Sequence, residues 1–159
     1  MKSLALAKGL TIRKACEEDK ETISQLVNQA FTGYNNGKNI SHLKENLEDI
    51  LRDIKKDEVI VLEGKNKIIG TLRLEYRDDN KYYLKKFAIY PKFQNQGLGQ
   101  MLFAAAEMMV RAKNGRTIYL HSSREDNGLV NFYKKLGFNC LKVEKSMGYS
   151  RGLLIKELK

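Results

Sequence analysis

The chain has 159 residues, enough for one domain with a core of its own and too few for two comfortable ones. Its 42% hydrophobic and 30% charged content is that of a soluble globular protein; one proline and no Gly/Ser-rich tract exclude a linker array or disordered tail. The net charge of +10 is uneven: residues 1–80 carry 14 basic and 14 acidic side chains and balance, whereas residues 81–159 carry 15 and 5, so an anionic ligand or partner would be drawn to the later half.

The apolar stretch 4–7 is too short for a signal segment, and no run approaches a membrane span, so the expected location is the cytoplasm. Residues 10–13 read as a first strand. Ile23, Leu26, Val27, Ala30 and Phe31 then recur at helical spacing, and the stretch 33–39, GYNNGKN, breaks the helix. Leu43, Leu47, Ile50, Leu51 and Ile54 mark a second helix. Residues 59–62 and 68–76 are apolar runs around a GKNK turn, a hairpin pattern, and 82–90 continues the meander after RDDN.

The stretch YPKFQNQGLGQ, residues 90–100, holds the only proline and then two glycines around Leu98. Leu98, Met101, Leu102, Ala105, Met108, Met109 and Ala112 follow as one apolar stripe, closed by Asn114-Gly115. Residues 117–121 read as a strand. Asp126 or Asn127 can cap the next helix, whose apolar side carries Leu129, Phe132, Tyr133 and Leu136, with Lys134, Lys135 and Gly137 at its end. Strands near 139–145 and 152–158 finish the chain. The order β-α-α-β-β-β-α-β-α-β-β implies an α/β fold (α+β by some definitions) in a single domain over 1–159. Its sheet is mixed and mostly antiparallel, with one parallel crossover around residues 90–112 and helices on both faces.

Cys16 and Cys140 lie far apart without metal-ligand neighbours and read as two free thiols in a reducing compartment; no metal is expected. The glycine stretch fails two nucleotide-binding patterns. A dinucleotide fingerprint needs glycine or alanine where Leu102 stands, and a P-loop needs lysine where Gln100 stands. What remains is either a plain strand-to-helix turn or a phosphate cradle. In the cradle, unpaired helix amides, the positive dipole end and two missing Cβ atoms would face an anion.

Residues 87–102, FAIYPKFQNQGLGQML, resemble the acetyl-CoA-binding segment of the GCN5-related N-acetyltransferases (GNAT), with its pattern Gln/Arg-x-x-Gly-x-Gly/Ala met by Gln94, Gly97 and Gly99. Residues 127–138, NGLVNFYKKLGF, resemble the family's late helix, and the element order agrees over nearly the full chain. The resemblance implies acetyl-CoA as co-substrate, with Gln94, Asn95, Gln96, Gly97, Leu98, Gly99 and Gln100 around its pyrophosphate. It also implies that Phe87, Ala88 and Ile89 pair with the pantetheine arm, with Ile89 N–H polarising the thioester carbonyl. Asn127 falls on the pantetheine arm, where it can also serve as an N-cap, and Phe132 is a further cofactor-binding position.

Tyr133 matches the tyrosine that protonates the CoA thiolate. A phenol of pKa about 10 stays protonated where a thiol of about 8.5 departs. Without the resemblance, Tyr133 reads as a core residue beside Phe132. The strand 82–90 offers no carboxylate as general base; Glu75 and His121 are the candidates, and a water relay is the third choice. Phe31, Tyr34, Asn35 and Asn36 would line the acceptor side, for a small-molecule amine or a peptide. The resemblance thus implies an N-acetyltransferase acting by direct attack in a ternary complex, with homodimers common in the family. The alternatives are a non-catalytic acyl-CoA-binding or sensing domain and a basic nucleic-acid-binding domain; no recognition motif supports the latter.

Overall fold

In the computed structural model, residues 4–6, 9–34, 45–146 and 148–159 are described. The elements run β1 (Leu4–Leu6), β2 (Leu10–Lys14), α1 (Lys20–Tyr34), α2 (Leu47–Lys56), β3 (Glu58–Gly64), β4 (Lys67–Arg77) and β5 (Lys81–Ile89). They continue with α3 (Leu98–Ala112), β6 (Thr117–Ser123), α4 (Asn127–Lys135), β7 (Asn139–Ser146) and β8 (Tyr149–Glu157). The expected order holds, with β1 added in front. Leu43, placed in the second helix by its spacing, lies outside the described residues. Two compact units divide the chain, one of Met1–Glu75 with Lys85–Met109, the other of Tyr76–Leu84 with Val110–Lys159.

In the first unit β1, β2, β3 and β4 pair antiparallel in sequence order, and β5 follows β4. Ile23, Leu26, Val27 and Ala30 of α1 and Ile50 of α2 pack on Val59 and Val61 of β3, Ile68 of β4 and Ala88. Asn46 caps α2 by accepting from the Asp49 N–H at 2.9 Å, and the chain leaves α2 at Asp57 straight into β3. The apolar stripe of α3 is turned from the expected one. Leu98, Leu102, Ala105 and Met109 of the expected stripe are buried, and Phe103, Ala106 and Val110 join them, whereas Met108 and Ala112 face outward. Phe103 and Val110 widen the stripe on one side, because at 3.6 residues per turn they lie beside the row of Leu98, Leu102 and Met109.

In the second unit the strand order is β5-β6-β8-β7. The first residues of β5 pair parallel with β6 through Lys81–Thr117, Tyr82–Ile118 and Tyr83–Tyr119, the expected crossover through α3. Among the described residues this ladder holds those three pairs, so Phe87–Ile89 lie beyond it. β8 lies between β6 and β7 and pairs antiparallel with both. Asp126, not Asn127, caps α4, its Oδ1 accepting from the Leu129 N–H at 3.1 Å. Asn127 is the first helical residue and its side chain is exposed. The helix ends in a two-bond turn: Gly137 N–H reaches Lys134 O at 3.0 Å, and Phe138 N–H reaches Tyr133 O at 3.1 Å. Gly137 takes φ 99°, which that turn demands.

Candidate functional site

The loop between β5 and α3 is built for exposed backbone. Pro91–Phe93 make one 3-10 turn, and Gln94 N–H closes on Pro91 O at 3.3 Å. That bond removes the Gln94 amide from the expected cradle. The Gln94 side chain turns back instead, and its Nε2 donates to Ile89 O at 2.9 Å. Asn95 (φ 64°) and Gly97 (φ 80°) are both left-handed. A Cβ built on Gly97 would meet nothing within 4 Å, so its glycine answers to backbone conformation and not to crowding. The first helical bond of α3 is Met101 N–H to Gly97 O, 3.1 Å. The N–H groups of Leu98, Gly99 and Gln100 therefore have no intrahelical acceptor and stand at the positive end of the helix. Leu98 is buried and anchors the turn, while Asn95, Gln96, Gly97 and Gln100 are exposed.

Upstream, Tyr90 N–H bonds Ile69 O of β4 at 3.0 Å. Strand alternation then turns the N–H and C=O of Ile89 away from β4. Ala88 is buried, and Phe87 is partly exposed. Lys86 interrupts β5 with φ 53°, a left-handed lysine that kinks the strand just before this segment. Its ammonium lies 5.6 Å from the ring centre of Phe31, and burial pushes it below the ordinary lysine range. Tyr34 ends α1, but its side chain, like Asn35 and Asn36, lies outside the described residues.

Glu75 belongs to a dense charge cluster. Lys85 donates to its Oε2 at 2.8 Å, and the same ammonium lies 3.2 Å from Asp57 and 3.5 Å from Asp53. Burial works against the Lys85 charge, but Glu75, Asp53 and Asp57 outweigh it and hold the ammonium protonated. Arg73 is fully buried and bonds Glu45 and Asp53, the latter at 2.9 Å. Burial pushes the Asp57 carboxyl up. To take a proton at Oε2, Glu75 would have to give up Lys85; Oε1 lies 3.9 Å from Lys56. A separate cleft of about 730 Å³ in the first unit, lined in part by Arg13, Asp19, Gln25, Lys67 and Tyr90, includes none of the residues chosen from the sequence.

In the second unit, His121 Nδ1 lies 2.8 Å from the Tyr83 hydroxyl. Burial, then the positive charge of Arg151, holds His121 below the ordinary imidazole value, so it is neutral at pH 7. Tyr83 is a residue the sequence reading passed over: it is 38 positions from His121 and only the parallel ladder brings them together. Tyr133 is buried at 8% exposure, edge-on to Phe132 (5.2 Å between ring centres) and Phe138 (5.7 Å). Phe132 is half-buried. Among the described residues no group of three His, Cys, Asp or Glu could hold a metal, and both cysteines are free and exposed.

The acetyltransferase (GNAT) family model matches residues 21–138, most of the chain and every element from α1 to α4. The chain belongs to the GNAT family. A curated relative, the uncharacterized N-acetyltransferase ycf52 of Gracilaria tenuistipitata var. liui, is 31% identical over 125 residues, covering 69% of this chain. The match spans 65% of that relative's length. Among solved structures, PaiA N-acetyltransferase of Thermoplasma acidophilum in complex with coenzyme A superposes with TM-score 0.82 at 22% identity, covering 94% of this chain and 99% of that one. The Salmonella typhimurium yncA structure with its cofactor acetyl-CoA gives 0.78 at 16%, covering 94% of each. These likenesses establish the GNAT fold. No helix among the described residues is long and apolar enough to cross a membrane.

Proposed function

We propose that this GNAT chain is an acetyl-CoA-dependent N-acetyltransferase acting on a primary amine of a small molecule or peptide, by direct attack in a ternary complex. The observation that carries the reading is the loop before α3. Left-handed Asn95 and Gly97 present it, and the amides of Leu98, Gly99 and Gln100 lack helical acceptors. Those amides, with Gln96 and Gly97, would hold the CoA pyrophosphate. Phe87, Ala88 and Ile89 would pair with the pantetheine arm, and the Ile89 N–H, turned away from β4, would stabilise the oxyanion. When bound, acetyl-CoA supplies the activated thioester.

Tyr133 would give its proton to the departing thiolate; its ring is fixed by Phe132 and Phe138. Glu75 would take the amine proton through water, held in place by Lys85. Asn127 is available to the pantetheine arm because Asp126 does the capping. Phe31 and Tyr34 would stand on the acceptor side, and a cytoplasmic location goes with this reading.

The test is thermal and kinetic. Acetyl-CoA at a hundredfold its Kd adds about 2.7 kcal/mol and raises the melting temperature by several degrees. An amine and peptide library read by thiol release then finds the acceptor. Tyr133→Phe loses roughly 10²–10⁴-fold in kcat with CoA binding kept. No thermal shift with CoA or acetyl-CoA sinks the reading. A shift without turnover on any amine points to the acyl-CoA-binding alternative.

A further inference from the structure

In the second unit the sheet ends on β7. This strand has β8 on one side and, among the described residues, no strand on the other. Asn139–Ser146 is a long edge, and the side chains of 139–145 are all exposed. Leu141 is 65% exposed and Val143 55%. Exposed apolar side chains are ordinary one at a time; near each other on an unpaired edge they are a template for another strand. Cys140 faces Leu154 and Lys142 faces Leu153, so Leu141 is the extra residue of a bulge. From Lys142 the alternation is regular, through Val143–Gly152, Glu144–Arg151 and Lys145–Ser150. Lys142 and Glu144 share one face, where Glu144 lies 4.0 Å from the Lys142 ammonium and 3.6 Å from Arg151 Nε. Val143 is on the other face.

Lysines and a bulge are the usual guards of an open edge. Here they select a partner instead of excluding every one. A strand laid antiparallel on β7 must set residues whose N–H and C=O point outward against residues that do the same. When that strand is a second β7, the two-fold axis must therefore pass through a residue and not between two. An axis at Lys142 or Lys145 sets lysine on lysine, one at Glu144 sets glutamate on glutamate, and one at Leu141 falls on the bulge. An axis at Val143 sets valine on valine, with Lys142 on Glu144 at both ends. We propose that β7 is a dimer interface, on which a second copy of this chain adds its own β7 antiparallel about an axis at Val143. Arg151, Glu144 and Lys142 of the second copy then alternate in charge across three strands. The Lys142–Glu144 pair within one strand, exposed at both ends, is weak enough to be exchanged for this one. On the other face the two valines cover each other, and the edge gains backbone hydrogen bonds. None of this depends on the acyl-transfer reading.

Analytical ultracentrifugation of the full chain tests the interface. The parent sediments as a dimer at tens of micromolar. Lys142→Glu puts like charges together at both ends and raises the dimer Kd about 5- to 30-fold. Glu144→Lys does the same with lysines. Carrying both substitutions restores opposite charges and most of the parent affinity, a rescue that a merely misfolded edge would not show. With Cys16 and Cys140 replaced by serine, Val143→Cys crosslinks to its twin under mild oxidation, because facing Cα atoms in such a ladder are about 4.5–5.5 Å apart. Lys145→Cys, whose twin lies about 13 Å away along the edge, does not. A monomeric parent, an unchanged Kd in both single variants, a double variant no tighter than the singles, or crosslinking as ready at 145 as at 143 overturns the proposal.

Discussion

His121 is neutral because its surroundings penalise the imidazolium: partial burial first, then Arg151 and Lys142, with Glu144 opposing. Its folded pKa lies below the unfolded value of about 6.5. As pH falls through 6.5 the unfolded chain takes up this proton before the folded one does. Stability is therefore fully present above pH 6.5, is lost as pH drops toward the folded value, and levels off below it. In urea melts at pH 8.0, 6.5 and 5.5, the parent loses midpoint faster across this window than His121→Gln. His42 is present in both chains, so any contribution from it is common to the two profiles. Parallel profiles for the two proteins would show that the ring is not held neutral by the fold.

At the scale of elements, β4 and α2 are joined by buried charge. Arg73 is fully buried, bonding Glu45 before α2 and Asp53 within it. Arg73→Met removes one partner and leaves two carboxylates with little water, at a cost of about 3–5 kcal/mol. The urea midpoint falls and the slope stays. Arg52→Met, which breaks the exposed Arg52–Asp49 pair on the same helix, leaves the midpoint in place. Equal effects would mean that Arg73 is solvated. The sequence reads β4 as a strand through its apolar residues, but Thr71, Arg73 and Glu75 look like a wet face; only tertiary packing puts α2 over them. The same limit hides the left-handed Lys86, since lysine gives no sign of positive φ. β1 went unread because three residues carry no periodicity. The α4 end, by contrast, was legible: Gly137 after two lysines marks a local turn, and the Tyr133–Phe138 contact follows from its hydrogen bonds. In the loop before α3 the left-handed Gly97 reports a local conformation in the same way, whereas the residues alone left turn and cradle both open and the family resemblance chose between them. The Tyr83–His121 bond was not, because it needs two strands in register.

For the whole molecule the question is what the charge of +10 does. The chain halves suggested a neutral half and a basic one, but the fold groups the residues differently. The unit of residues 76–84 and 110–159 holds 13 basic and 6 acidic side chains, net +7; the other holds 16 and 13, net +3. A field of this kind raises the encounter rate of an anion without needing a contact in the bound state. The Debye length is about 10 Å at 0.1 M salt and about 30 Å at 0.01 M, so the field is felt at low salt and cut off at high salt. If the proposed acetyl-CoA reading holds, kcat/KM for acetyl-CoA should fall several-fold from 0.02 to 0.3 M salt, while kcat stays level because the bound complex is unchanged. Lys134 and Lys135 in the last turn of α4 are exposed. Replacing both with glutamine should flatten the salt slope with little effect on kcat. An unchanged slope in that variant would assign the attraction to other residues. A slope equally steep for duplex DNA binding, at comparable affinity, would instead revive a polyanion as the partner this charge serves.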